Sequence, residues 1–237
     1  MDMKILAIDS SGLVASVAIL TEDTLLAEYT VNYKKTHSQT LLSMLDEIVR
    51  MIELDLSEID AIAVAKGPGS FTGLRIGSAT AKGLGMALGK PLIGIPTVDA
   101  LAYNMFACAC VVCPLMDARR NQVYTGLYEF QGKEFIVVEE QQAVDIINIV
   151  DKINSYGKPV VYLGDGVDSY QDQLNSLTKV PYYVAPSHLN KQRAAAIGAL
   201  AVEYYKQGIM ETAKDHVPDY LRLSQAERER EEAMKKA

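Results

Sequence analysis

Several features that would point to familiar chemistry are missing from this chain. It has no tryptophan, and its three cysteines fall together at Cys108, Cys110 and Cys113. An odd, clustered set is a poor disulfide framework. Cys110-x-x-Cys113 has metal or redox spacing, but no second pair and no nearby histidine completes a tetrahedral site. The two valines between them suit a strand, so the cysteines read as small buried hydrophobes. Asp9 interrupts the apolar start and no basic segment leads it, so no signal peptide is expected there. No apolar run approaches the roughly 20 residues of a membrane span. A cytoplasmic location is therefore expected. Positive charge is also scarce: 23 Lys and Arg against 30 Asp and Glu give a net charge of −7. A protein that held nucleic acid unaided would show a basic stripe. None is visible, so a nucleic-acid role is expected to run through a partner. No Gly-Lys-Ser/Thr closes a glycine-rich loop, which excludes a Walker A site. Nothing in the spacing of His37, His188, the serines, Asp9 and Asp117 supports a hydrolytic triad, which geometry defines. His37 reads as a helix-start residue and His216 as a surface residue.

What is present is an ordinary globular composition, 49% apolar, arranged as one pattern used twice. Apolar strands are predicted at 4–9, 14–20 and 25–31, followed by a helix from His37 to about Ile52. A connector at 56–60 leads to a strand at 61–65, a glycine-rich loop and a helix. A strand at 92–95 and a helix from Val98, capped by Thr97, complete the unit. Strands at 111–117, 123–130 and near 135–138 open the second unit. A helix around 144–153, a strand at 159–163, a helix near 168–176, a strand at 182–185 and a helix capped by Ser187 close it. Each half reads βββαβαβα, and the first strand of each ends in a carboxylate, Asp9 and Asp117. We expect an N-terminal domain over 1–108, completed by the helix at about 187–207. A second domain covers 109–186. The segment 208–237 forms a tail whose end, dense in Glu, Lys and Arg, reads as a solvated helix.

The stretch Gly67-Pro68-Gly69-Ser70-Phe71-Thr72-Gly73 organises the rest. Glycine and proline shape the loop, and Ser70 or Thr72 can cap the helix that leaves it. That helix carries Gly73, Gly77, Ala81 and Gly85, a small residue at every fourth position. Glycine costs roughly 1 kcal/mol relative to alanine in a helix interior, so the stripe needs a reason. Close approach of another helix is the expected one. The preceding helix has a broad apolar face that includes Met44, Ile48 and Met51. Packing on the chain's own sheet competes for both faces.

Duplicated βββαβαβα resembles the actin/Hsp70/sugar-kinase-like fold. That resemblance places Asp9, Ser10, Ser11 and Asp117 on two phosphate-side turns and Gly164, Asp165 and Gly166 near a nucleoside. It implies ATP with a metal ion between the carboxylates, or else the same fold with a degraded nucleotide site. Fold alone does not fix function.

Gly67 through Gly77, with Ile8-Asp9-Ser10-Ser11, Pro91-Leu92-Ile93-Gly94-Ile95 and Asp219-Tyr220-Leu221-Arg222, resembles the TsaB (YeaZ) family over residues 1–222. The resemblance implies a subunit of the bacterial machinery that makes threonylcarbamoyladenosine beside the tRNA anticodon. The catalytic paralogue TsaD carries two metal-binding histidines, four apart, after its fifth strand. Those positions correspond here to Thr97 and Leu101, neither of which replaces an imidazole ligand. The resemblance therefore implies a non-catalytic chain without a metal. It would support TsaD together with the ATPase TsaE, reach tRNA through the complex, avoid membranes and form a homodimer when alone. The alternative is an ATPase or glycoprotease-like hydrolase of the same fold. No cofactor is expected; ATP is the one candidate, bound by this chain or at the partner interface. The pairing surface is expected at Met44, Ile48, Met51, Gly73, Leu74, Gly77, Ala81 and Gly85.

Overall fold

The computed structural model describes residues 3–33 and 37–222. The side chain of His37 and the charged tail beyond Arg222 lie outside the described residues. Three strands, β1 (Ile5–Asp9), β2 (Ala15–Leu20) and β3 (Leu25–Val31), precede α1 (His37–Met51). A 3-10 turn, Leu56–Glu58, forms the connector before β4 (Ala61–Gly67) and α2 (Phe71–Leu88). Then come β5 (Leu92–Pro96) and α3 (Thr97–Tyr103). The order repeats with β6 (Val111–Asp117), β7 (Gln122–Gln131), β8 (Glu134–Asp145) and α4 (Ile146–Tyr156). It ends with β9 (Val160–Leu163), α5 (Asp165–Ser169), α6 (Gln171–Leu177), β10 (Tyr182–Val184) and α7 (Ala194–Lys206).

Two five-stranded sheets result, ordered β3-β2-β1-β4-β5 and β10-β9-β6-β7-β8. In each, the first strand pairs antiparallel with the second and parallel with the fourth. This is the duplicated α/β arrangement of the actin/Hsp70/sugar-kinase-like fold, as the element order predicts.

Alternation explains why β1 is buried on both faces. Ile5 and Ala7 point toward α7, where they meet Ile197, Leu200 and Ala201. Leu6 and Ile8 point the other way, toward Leu41, Met44, Leu45 and Ile48 of α1. A strand covered by helices on both sides reads as a continuous apolar run. In the second sheet, Val111, Cys113 and Leu115 pack on α4 and α6, while Val112 and Met116 face Val98 and Leu101 of α3. Thus α3, encoded in the first half, also packs on the second sheet. The C-terminal helix α7 packs on the first sheet.

Three local expectations change. The second-half helix near 168–176 is two short helices, α5 and α6. Thr97 is the first residue of α3 and makes no cap; its hydroxyl accepts from the Gly67 N–H at 3.1 Å. Ser187 does not cap α7, which begins seven residues later at Ala194. The cysteines are free; Cys113 is buried in β6, whereas Cys108 and Cys110, ahead of the strand, are only half-buried.

Candidate functional site

The first carboxylate turn is closed off by its own chain. Asp9 Oδ1 accepts from the Ser11 N–H at 2.9 Å and from the Ser11 hydroxyl at 2.7 Å. Ser10 donates its hydroxyl to the Gly73 carbonyl at 2.8 Å, and Ser70 donates its N–H to the Ser11 carbonyl at 2.7 Å. All three turn residues are at least 98% buried. Ser70 caps α2, its hydroxyl accepting from the Gly73 N–H. The start of α2 therefore sits directly on the turn that was expected to face a phosphate. Asp9 and Ser10 lie beneath it, and Ser11 alone of the three lines the adjoining cleft.

The small-residue stripe is the reason this closure fits. A Cβ at Gly73 would lie 2.0 Å from the Ser10 carbonyl oxygen, and one at Gly77 2.5 Å from the Ser10 hydroxyl. At Gly85 it would meet Leu92 Cδ1 at 2.4 Å. Gly73, Leu74, Gly77, Ala81 and Gly85 are all buried. This corrects the expectation of a pairing stripe: what approaches the helix so closely is the β1–β2 turn and Leu92, not another helix. Met44 and Ile48 are likewise buried, against the first sheet. Met51 is 76% exposed.

Apolar side chains remain exposed on both helices. Leu42 and Met51 on α1 are exposed, and Met86 on α2 is 74% exposed. Ala79, Gly83 and Ala87 lie exposed along α2, and nothing stands within 4 Å of a Cβ placed on Gly83.

The second carboxylate turn opens into a cleft of about 740 Å³. Asp117, exposed at the end of β6, donates its N–H to Asp165 Oδ1 at 3.1 Å. Asp117 Oδ1 accepts from the Arg119 N–H at 2.7 Å and the Tyr170 hydroxyl at 3.1 Å. Burial pushes the Asp165 carboxyl above the usual carboxylate range. The Asp117 N–H and Lys191 oppose the rise, and the Asp117 charge adds to it. Gly164 and Gly166 pack on the Leu115 carbonyl, where a Cβ would come within 2.1 and 2.9 Å. They hold α5 against β6, and among the Gly164-Asp165-Gly166 group only Asp165 lines the cleft. No group of three or more His, Cys, Asp or Glu able to hold a metal occurs among the described residues.

A C-terminal strap crosses the cleft mouth. The Asp219 N–H donates to the Lys66 carbonyl at 2.7 Å. Its own carbonyl lies 2.2 Å from where a Cβ at Gly67 would stand, so Gly67 admits the strap. Tyr220 packs its ring on Phe71 at 4.8 Å between centroids and accepts at its hydroxyl from Arg75 Nε at 3.3 Å. Arg222 donates to the Ala118 carbonyl on the far wall. Upstream, His216 is buried, its Nδ1 2.7 Å from Glu211 Oε1, which corrects its reading as a surface residue. The sequence marks this strap only as a family match; no periodicity announces where it lies.

The fold and its cleft define a duplicated actin-like protein whose first phosphate-side turn is filled by its own helix. The family model described as "TsaD: tRNA N6-adenosine threonylcarbamoyltransferase" matches residues 24–230. The Bacillus subtilis "tRNA threonylcarbamoyladenosine biosynthesis protein TsaB" is 33% identical, over 95% of this chain and 96% of that one. Its Escherichia coli counterpart of the same name is 32% identical, over 72% and 74%. The structure "YeaZ from Pseudomonas aeruginosa" superposes with a TM-score of 0.80 at 27% identity, covering 92% of this chain and all of that one. The chain belongs to the TsaB (YeaZ) family.

Proposed function

We propose that this chain is a non-catalytic subunit in the formation of threonylcarbamoyladenosine on tRNA, pairing with a TsaD-type catalytic paralogue. Its relatives' role in threonylcarbamoyladenosine biosynthesis supplies the pathway. The observation that carries the reading is the closed Asp9-Ser10-Ser11 turn, buried beneath α2. The Gly73 carbonyl and the start of α2 take up the inner side of this turn and leave only Ser11 of the three facing the cleft, which supports a degraded nucleotide site. The positions that resemble TsaD's histidines support it too: Thr97 is buried and bonded to Gly67, and Leu101 is part of the core.

In this reading the pairing surface is the outer side of α2, centred on Met86, with the exposed Met51 flank of α1. Methionine adapts its shape to a partner, and small residues beside it let a facing helix come close. A second copy takes the same face when the paralogue is absent, giving a homodimer. A TsaE-type ATPase joins the assembled pair, and tRNA is met by the complex in the cytoplasm. No helix among the described residues is long and apolar enough to cross a membrane.

Reconstitution tests the assignment. The purified chain alone should neither hydrolyse ATP at a useful rate nor modify tRNA. Adding it to TsaD-type and TsaE-type partners with tRNA, ATP and the threonylcarbamoyl donor should switch modification on. Modification by the lone chain, or by the partners without it, would overturn the reading.

A further inference from the structure

We propose that the β6–β7 turn is an RNA-phosphate contact, with Arg119 and Arg120 reaching for the tRNA backbone. The inference rests on the functional reading above and names the part of this chain that meets the substrate.

The backbone is the first observation. Arg119, Arg120 and Asn121 have φ of 62°, 59° and 58° in succession. Left-handed backbone favours glycine, and asparagine tolerates it, but two consecutive arginines do not belong there by preference. Strain of this kind persists where its surroundings over-determine it, and it gathers at functional sites. The surroundings are present here. The Asp117 carboxylate accepts from the Arg119 N–H, Gln122 donates its N–H to the Arg119 carbonyl, and Arg222 holds the Ala118 carbonyl. The turn is thus a fixed platform with two side chains standing out from it.

Charge is the second observation. Six arginines fall among the described residues of this acidic chain. Arg119, Arg120 and Arg222 line the same cleft, and Arg75 bonds to Tyr220 at its rim. Arg119 and Arg120 are exposed, and neither guanidinium makes an ion pair among the described residues. Three carboxylates share the cleft: Asp117 holds the turn and Tyr170, Asp165 accepts from the Asp117 N–H, and Asp219 comes from the strap, yet none of them makes an ion pair with Arg119 or Arg120 among the described residues. Guanidinium is a planar fork that matches phosphate oxygens, charged at any working pH. In a chain of net charge −7 a polyanion is repelled from most of the surface, so its approach needs a local cation pair such as this one.

The ligand chemistry is phosphate, and the source favoured here is RNA rather than free nucleotide. The two arginines are exposed on the cleft wall, while Asp9 and Ser10 of the first-half turn are buried away from it. The test is tRNA binding by the assembled complex with its TsaD-type partner, followed by fluorescence anisotropy across a salt series. Arg119→Gly/Arg120→Gly removes both cations and suits the left-handed backbone, so the turn keeps its shape. Each lost phosphate contact flattens the salt dependence by about one. The expected result is about tenfold weaker tRNA binding and a log–log salt slope shallower by about 2. Arg119→Lys/Arg120→Lys should retain most of that slope, and Lys179→Ala, an exposed cation elsewhere, should leave both quantities unchanged. Wild-type tRNA affinity and slope in the glycine variant overturn the inference alone, provided the wild-type chain pairs and supports modification. So does a variant that loses ATP binding while tRNA binding is unchanged. A wild-type chain that neither pairs nor supports modification overturns the functional reading, and this inference with it.

Discussion

Ser10 donates its hydroxyl to the carbonyl of Gly73 at 2.8 Å, and the Ser10 carbonyl fills the place where a Gly73 side chain would begin. One pair of residues therefore joins the first carboxylate turn to the helix that closes it. The actin-like resemblance places a phosphate at this turn; here Asp9 and Ser10 are buried beneath α2. The same turn explains Gly73 and Gly77, which the chain keeps at a cost in helix propensity, while Leu92 explains Gly85.

Gly73→Ala should destabilise the isolated chain, because its Cβ meets backbone rather than a flexible side chain. Overpacking of this kind costs about 1–3 kcal/mol. Gly83→Ala, with open space around it, should stabilise the same helix by about 0.5–1 kcal/mol. Urea unfolding of the two variants reads both signs at once. A stable Gly73→Ala protein would mean that α2 does not sit on the turn.

Asp99 is buried at the junction of α3 with β7, where it accepts from the Tyr128 hydroxyl at 2.7 Å. Burial pushes its carboxyl up to about 6, with Glu140 adding to the rise and Tyr128 opposing it. The native state therefore holds this proton more tightly than the unfolded chain does. The stability it contributes is fully present below about pH 4 and is lost as pH rises through about 6. Asp99→Asn keeps an acceptor for Tyr128 and removes the charge. It should raise stability at pH 7.5 by on the order of 1–3 kcal/mol relative to wild type, with the advantage vanishing below pH 4. Thermal melts across pH 4–8 check it, and a gap that does not change with pH would refute it.

The strap should loosen without unfolding the core when Tyr220 is cut back. Tyr220→Ala removes the ring packed on Phe71 and the acceptor of Arg75. Aromatic pairs are worth about 0.5–1.5 kcal/mol beyond their buried area. Hydrogen exchange of residues 214–222 should quicken while β1 and β4 stay protected. Equal protection in variant and wild type would show that Tyr220 does not hold the strap.

Much of this architecture is legible in the sequence, and the rest is hidden for identifiable reasons. β1 and β4 announce themselves as short runs of Ile, Leu, Val and Ala because helices cover both faces. The duplication is readable from element order and from Asp9 and Asp117, without residue identity. The stripe at Gly73, Gly77, Ala81 and Gly85 shows that something comes close to α2, but sequence does not distinguish a partner's helix from the chain's own turn. Ser10, more than sixty residues away, supplies the answer only in three dimensions. His216 pairs with Glu211 inside a segment without periodicity, so its burial leaves no local mark. The Arg119-Arg120-Asn121 turn reads as an ordinary polar hairpin, and its left-handed backbone is invisible until folded.

The central claim is that the outer side of α2, with the Met51 flank of α1, pairs this chain with its catalytic paralogue. Size-exclusion chromatography with light scattering tests it most directly, using wild type and Met86→Asp mixed with the TsaD-type partner. Met86 is largely exposed in the isolated chain, so its change should alter folding stability by no more than about 0.5 kcal/mol. The predicted result is a heterodimer mass for wild type and separate monomers for Met86→Asp, with circular dichroism unchanged. A heterodimer of undiminished affinity from the variant would place the partner elsewhere and contradict the account.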